Sequence, residues 1–284
     1  MNTKIGVFLA FGAVFFITVP ALTPAFAQGG GANQTQEWEA LSRRAAAPEG
    51  REWDVRLGGA ALMRPTFEGS DRYRFSGFPF ITVNWRDTIT LGESGLSAQL
   101  RHDNFRYGVG LTFDAGREDS GTGGVFGGGD DRLRGLGQID FSLGVRGFAT
   151  YRWQFLEFGG AVTKYTGKQN DGILSDIGVS AALPVADKLL LIPNIRLGFA
   201  DDKYMRTYFG VTPAQAAASI FPVFNARGGL HQIRGGANLV YSFTDHWFVG
   251  VNAGVTHLTG DAAASPISIT DTYATALSFV GYRF

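Results

Sequence analysis

From Gln138 to Tyr151 the sequence reads QIDFSLGVRGFATY, with Ile139, Phe141, Leu143, Val145, Gly147, Ala149 and Tyr151 at odd positions and Gln138, Asp140, Ser142, Gly144 and Arg146 between them. A period of two puts residues i and i+2 on one face of an extended strand, so this stretch is a strand with an apolar face and a polar face. The pattern recurs at Phe105–Phe113 against Arg106, Thr112 and Asp114, at Trp53–Met63 against Asp54, Arg56 and Arg64, and at Trp247–Val255 against Asn252 and Thr256. It recurs again at Ile173–Leu183 against Asp176 and Ser180, and at Leu189–Phe199 against Asn194 and Arg196.

Alternation of this kind suits a soluble sandwich or a transmembrane barrel, and three features choose the barrel. Strands of ten to fourteen residues match the ~9–11 needed to cross a bilayer obliquely, where sandwich strands average ~5–6. Polar faces mix glycine, arginine and acid, as in a lumen of paired charges. Aromatic residues Trp53, Trp85, Tyr151, Trp153, Tyr165, Trp247 and Tyr273 fall at strand ends, where interfacial girdles form.

Composition agrees. The chain has 284 residues, 40 glycines, no cysteine, 18% charged residues and zero formal net charge. Disulfide scaffolds, thiolate metal sites and cysteine nucleophiles are excluded, and there is no basic field to gather nucleic acid. Met1–Ala27 has Lys4, an apolar run from Ile5 to Val19 and the ending Ala25-Phe26-Ala27, which reads as a secretory signal peptide cleaved before Gln28. Residues 28–51 read as a flexible periplasmic lead-in, and 52–284 as the barrel.

Connections set the strand count. Short ones lie at Arg86–Thr88, Arg101–Asn104, Tyr151–Trp153, Val185–Asp187 and Thr244–His246, and long ones at 65–76, 117–133, 167–171, 202–229 and 259–271. Bacterial barrels alternate short periplasmic turns with long outer loops. That parity requires a turn at Gly92-Glu93-Ser94-Gly95 and predicts an all-β, antiparallel, up-and-down barrel of twelve strands with both termini in the periplasm. A ten-stranded barrel with a bulge there is the alternative. In the 202–229 loop, Thr212, Pro213 and Gln215 form a capping box that starts a short helix. The loop either covers the mouth or folds inward to plug the lumen, and its apolar Phe209, Ile220, Phe221 and Phe224 favour folding inward.

Alternation assigns Asp54, Arg56, Arg106, Asp114, Asp140, Arg146, Glu157, Asp176 and Arg196 to the lumen, either as ion pairs holding a narrow barrel shut or as the lining of a weakly selective channel. Catalysis needs converging groups, and His257, Asp261 and Ser265 alone share a rim, without a known motif. Asp130-Asp131 and Asp201-Asp202 read as solvated loop acids in preference to metal ligands. No enzyme activity, metal or cofactor is expected.

The blocks Ala60–Asp71 (AALMRPTFEGSD), Arg134–Gly137, Asp202–Ala216 (DKYMRTYFGVTPAQA), Leu258–Ile267 and Gly281–Phe284 resemble the MipA/OmpV family of outer-membrane proteins. The resemblance implies a barrel embedded in outer-membrane lipid and lipopolysaccharide. It also implies a scaffold role joining a lytic transglycosylase to a murein synthase, with a passive solute channel as the other reading. The ending Tyr282-Arg283-Phe284 resembles the C-terminal signal read by the barrel-assembly machinery.

Overall fold

The computed structural model describes residues 52–121 and 129–284. The expected signal peptide and the 28–51 lead-in fall outside the described residues. Thirteen strand segments form one antiparallel sheet. They are β1 Trp53–Pro65, β2 Tyr73–Trp85, β3 Ile89–Gly92, β4 Gly95–His102, β5 Phe105–Asp114, β6 Ser142–Trp153, β7 Leu156–Tyr165, β8 Ile173–Ala181, β9 Leu183–Ala186, β10 Leu189–Ala200, β11 Gly229–Ser242, β12 Trp247–Leu258 and β13 Thr272–Arg283. β9 continues β8 in the same register against β10, with Ser180 opposite Asn194 and Leu183 opposite Leu191, until the register shifts between Leu190 and Leu189. β1 pairs with β13 from Arg56↔Arg283 to Met63↔Ala276. The sheet is therefore a closed barrel of twelve strands, and its pairing is interrupted along β2, which meets β3 only at Val83–Trp85.

Side chains alternate as the period of two requires. On β6, Leu143 and Val145 are exposed on the outer face while Ser142 and Gly144 are buried within. Where aromatic rings enter the lumen, the facing positions are glycine. A Cβ on Gly58 would stand 2.5 Å from Phe80 Cζ, and Gly250 and Gly281 make the same room for Phe279 and Phe248. Phe80, Val240, Phe248 and Phe279 thereby form an apolar cluster inside the wall.

Tight turns join the strands at the end that carries Phe284. Arg86 and Asp87 both take positive φ, of 50° and 52°, and Thr88 N–H donates to Trp85 C=O at 2.9 Å, the geometry of a type I′ hairpin. Around these turns Trp53 and Trp85 lie 6.3 Å apart, Phe105 and Tyr151 4.7 Å, and Tyr282 and Phe284 4.9 Å. The long loops cluster at the other end, which is extracellular in bacterial barrels.

Two girdle assignments need correction. Tyr165 and Tyr273 are buried on inward faces, because counting from the neighbouring lipid-facing Val162 and Val280 puts both on the opposite parity. The chain turns inward before β6, so Ile139 is buried in a bridge to Arg117 and is not lipid-facing. The Gly92–Gly95 turn also departs from an ordinary hairpin. β3 has only four residues, far too few to cross a bilayer, so β3 and β4 make a low stretch of wall between two taller neighbours.

Candidate functional site

The long-loop end of the barrel is filled from inside. Helix α1, Asp202–Phe209, is capped by the Asp201 carboxylate, which accepts from Tyr204 N–H at 2.9 Å. Its inner face buries Tyr204, Met205, Tyr208 and Phe209 against Tyr165, Leu174, Leu258 and Tyr273 of the wall. Tyr208 Oη donates to Asp114 Oδ2 at 2.7 Å, Asn170 Nδ2 donates to the same oxygen at 3.1 Å, and Gly116 N–H donates to Oδ1 at 2.9 Å. Arg117 Nη1 donates to Tyr208 C=O at 2.7 Å. A second layer, Phe67, Leu133, Leu136, Val211, Phe221 and Ile267, ties the other loops over the first.

The expected helix is present as α2, Pro213–Ala218, with both halves of the capping box formed between Thr212 and Gln215. It buries no residue. The loop folds inward, but α1 performs that packing and α2 covers the outside. The signal for α1 was Asp201, an N-cap three residues ahead of an N–H it can reach; read as a solvated acid, it concealed the helix. Asp130 has the same role, accepting from Arg132 N–H at 3.0 Å to start the 3-10 turn Asp131–Leu133. Burial alone would raise its pKa, but hydrogen bonds from Arg132 and Thr66 bring the carboxyl down to about 2.

Glu68, in the loop between β1 and β2, was not apparent from sequence. It is buried, and neither carboxylate oxygen meets a hydrogen-bond partner among the described residues. Desolvation, reinforced by the charge of Asp114 and opposed by Arg117, raises its pKa to about 7.

The lumen candidates fall into three places. At the β1–β13 seam Asp54 holds Arg56 on its own strand and accepts from Arg283 Nε at 3.1 Å. Asp114 lies at the opposite end, under α1. On the wall from β5 to β10, Asp176 binds Arg196 and lies 3.9 Å from Arg146. These groups meet because β7 presents Gly159 and Ala161 between β6 and β8. Glu157 meets Arg152 at 3.6 Å, and Arg106 lies 3.9 Å from Asp87. Arg106, Arg146, Glu157 and Arg196 line a cavity of about 130 Å³, with Ser94, Gly95 and Gln99 on its β3–β4 side. Asp140 is the correction: it is exposed, precedes β6, and accepts from Gln169 Nε2 at 3.2 Å, because the chain at 139 has left the sheet.

The rim residues do not converge. Ser265 Oγ donates to Phe209 C=O at 2.6 Å, Asp261 accepts from Arg227 N–H at 2.8 Å, and His257 Nδ1 is 2.8 Å from Thr272 Oγ1. Among the described residues no three His, Asp or Glu side chains stand together as metal ligands.

The family model described as MltA-interacting protein MipA matches residues 57–284. No curated protein matches. Among solved structures, a porin shares 11% identity over 81% of this chain and all of its own, at a TM-score of 0.34. A loop-deletion mutant of OmpT, an outer-membrane protein of Vibrio cholerae, shares 8% over 82% of this chain and 100% of its own, at 0.37. OccK1 of Pseudomonas aeruginosa shares 14% over 81% of this chain and 56% of its own, at 0.33. Likenesses this distant carry no argument, and the barrel rests on its own ladders.

Proposed function

This chain belongs to the MltA-interacting protein MipA family and is an outer-membrane barrel protein, and on that footing we propose that it is a non-enzymatic envelope scaffold. Its partners would be a murein synthase and a lytic transglycosylase, met through the short periplasmic turns or residues 28–51. The observation that supports this reading best is the filled mouth: with Tyr204 fully buried and Met205 and Phe209 each 1% exposed, the described loops pack into the barrel as a body in preference to lining a conduit. That weighs against the channel reading.

In the same reading the chain is exported by cleavage after Ala27, Tyr282 and Phe284 present the assembly signal on the outer face, and lipid with lipopolysaccharide surrounds the apolar belt. The test is affinity purification of the mature, membrane-extracted protein from envelope lysate. Enrichment of a lytic transglycosylase and a murein synthase over an unrelated barrel is expected. Equal recovery on both baits overturns the scaffold.

A further inference from the structure

Below the plug the barrel is filled on one side and hollow on the other. From β11 round to β3, Arg56, Thr82 and Thr90 are buried, and Phe80, Val240, Phe248 and Phe279 pack together. From β4 round to β10 lies the cavity of about 130 Å³. Its outer end is closed: Asp114, Ser142 and Tyr165 are buried there, and Asn170 Nδ2 donates to Ser142 Oγ at 3.3 Å. Burial falls away toward the short turns. Along the inward face of β6, Gly144 is buried, Arg146, Phe148 and Thr150 are half-buried, and Arg152 is exposed. β7 repeats the gradient, from buried Tyr165, Thr163 and Ala161 to half-buried Gly159 and Glu157. At that end two lining residues meet exposed neighbours, Arg106 with Asp87 and Glu157 with Arg152. The hollow is a blind pocket that opens toward the periplasm.

The pocket has a bare floor. Pairing aligns Arg106, Thr150, Gly159, Gly178 and Arg196 across β5, β6, β7, β8 and β10, and alternation turns all five inward. Gly159 and Gly178 stand side by side without side chains, so between Thr150 and Arg196, three spacings of ~4.8 Å apart, the surface is backbone. Phe148, one inward position nearer the plug, adds aromatic surface. A cavity of ~150 Å³ accepts a single six-membered ring, so a pocket of about 130 Å³ with an open end takes one ring and its substituents.

Charge narrows the class of ring. Each guanidinium of the pocket already has a carboxylate within 4 Å, Arg106 that of Asp87 and both Arg146 and Arg196 that of Asp176. An ion of either sign would have to displace a member of a formed pair, and an apolar ring would strip water from these groups without replacing it. A neutral hydroxyl can accept from a paired guanidinium and donate to a paired carboxylate, leaving the pair in place. Thr112 Oγ1, at the closed end, is buried and meets no hydrogen-bond partner among the described residues.

We propose that this pocket binds one uncharged pyranose ring, entering from the periplasm and lying on the Gly159–Gly178 floor between Arg106 and Arg196. A ring-sized hollow, a flat floor beside an aromatic residue and a charge-balanced lining of guanidinium, carboxylate and hydroxyl groups fit this ligand together. The site needs no protein partner and stands apart from the scaffold reading. Its sugar comes either as a free monosaccharide or as the end of a glycan strand.

The test is saturation-transfer NMR of the full barrel in nanodiscs, titrated with D-glucose, D-galactose, N-acetylglucosamine and chitotetraose. Saturable binding of at least one of the monosaccharides is expected. Glucuronate and glucosamine should bind ~10-fold more weakly or less, since each has to break an ion pair, and cyclohexanol should not bind. Chitotetraose binding as well as N-acetylglucosamine assigns a strand end, and binding of monosaccharides alone assigns a free sugar. The chain has no cysteine, so T150C can be folded first and then capped with N-ethylmaleimide, which should abolish binding and leave the folded gel shift unchanged. Absence of binding by all three monosaccharides, charged analogues that bind as well as the neutral sugars, a Cys thiol that stays unreactive in the folded barrel, or unchanged affinity after capping overturns the proposal.

Discussion

Replacing Glu68 by glutamine tests the electrostatics of the plug directly. Glu68 has no hydrogen-bond partner for either oxygen among the described residues, and its pKa stands at about 7 against an ordinary 4.5. A carboxyl whose folded pKa is raised is accommodated in its neutral form. Its contribution to stability is complete below about pH 4.5, declines as pH rises through the folded pKa near 7, and is then constant. With 1.36 kcal/mol per unit, a rise of about 2.5 units makes the wild type lose ~3 kcal/mol over that window. The E68Q variant, which cannot ionise at this position, should lose none of it. Urea unfolding of both proteins in lipid vesicles at pH 4.5, 6, 7 and 8.5 reads the difference, and subtracting the two curves removes the groups they share. E68Q should gain on the wild type steadily up to pH 7 and plateau above it. A difference that stays flat with pH, or that grows on acidification, refutes the assignment of a buried neutral acid.

Other substitutions probe the wall and the plug. Asp54→Asn should cost ~3–5 kcal/mol in the same unfolding assay, since it removes the carboxylate held by the buried Arg56 and Arg283 at the closing seam. Tyr208→Phe removes the hydroxyl that donates to Asp114 and should lower stability by ~1–3 kcal/mol, read as a lower temperature for the folded-to-unfolded gel shift. Gly281→Ala places a Cβ against the Phe248 ring and should destabilise by ~1–3 kcal/mol through overpacking, with Phe248→Ala in the same chain restoring part of the loss. In planar bilayers the intact protein should be silent. Deleting 202–209, the inward helix, should open conductance, whereas deleting 213–218, none of whose residues is itself buried, should not.

The period of two made the barrel legible because it reports a physical alternation, and loop parity made the Gly92–Gly95 hairpin legible because an odd crossing would put a long loop on the wrong side. Parity counts crossings and takes no account of their height, so the four-residue β3, and with it the low stretch of wall, left no trace in that count. The plug was half legible for a related reason. A capping box is a strong local signal and located α2, but inward packing is a property of side chains from several loops meeting, and α1 depends on wall residues such as Tyr165 and Tyr273 that looked like girdle aromatics. An aromatic residue near a strand end faces lipid or lumen according to parity alone. Counting from the nearest lipid-facing neighbour, Val162 for Tyr165 and Val280 for Tyr273, would have turned both inward and placed an apolar lining at the mouth. That lining needs an apolar partner, and the Tyr204, Met205, Tyr208, Phe209 spacing, at i, i+1, i+4 and i+5, presents a helical face that supplies it.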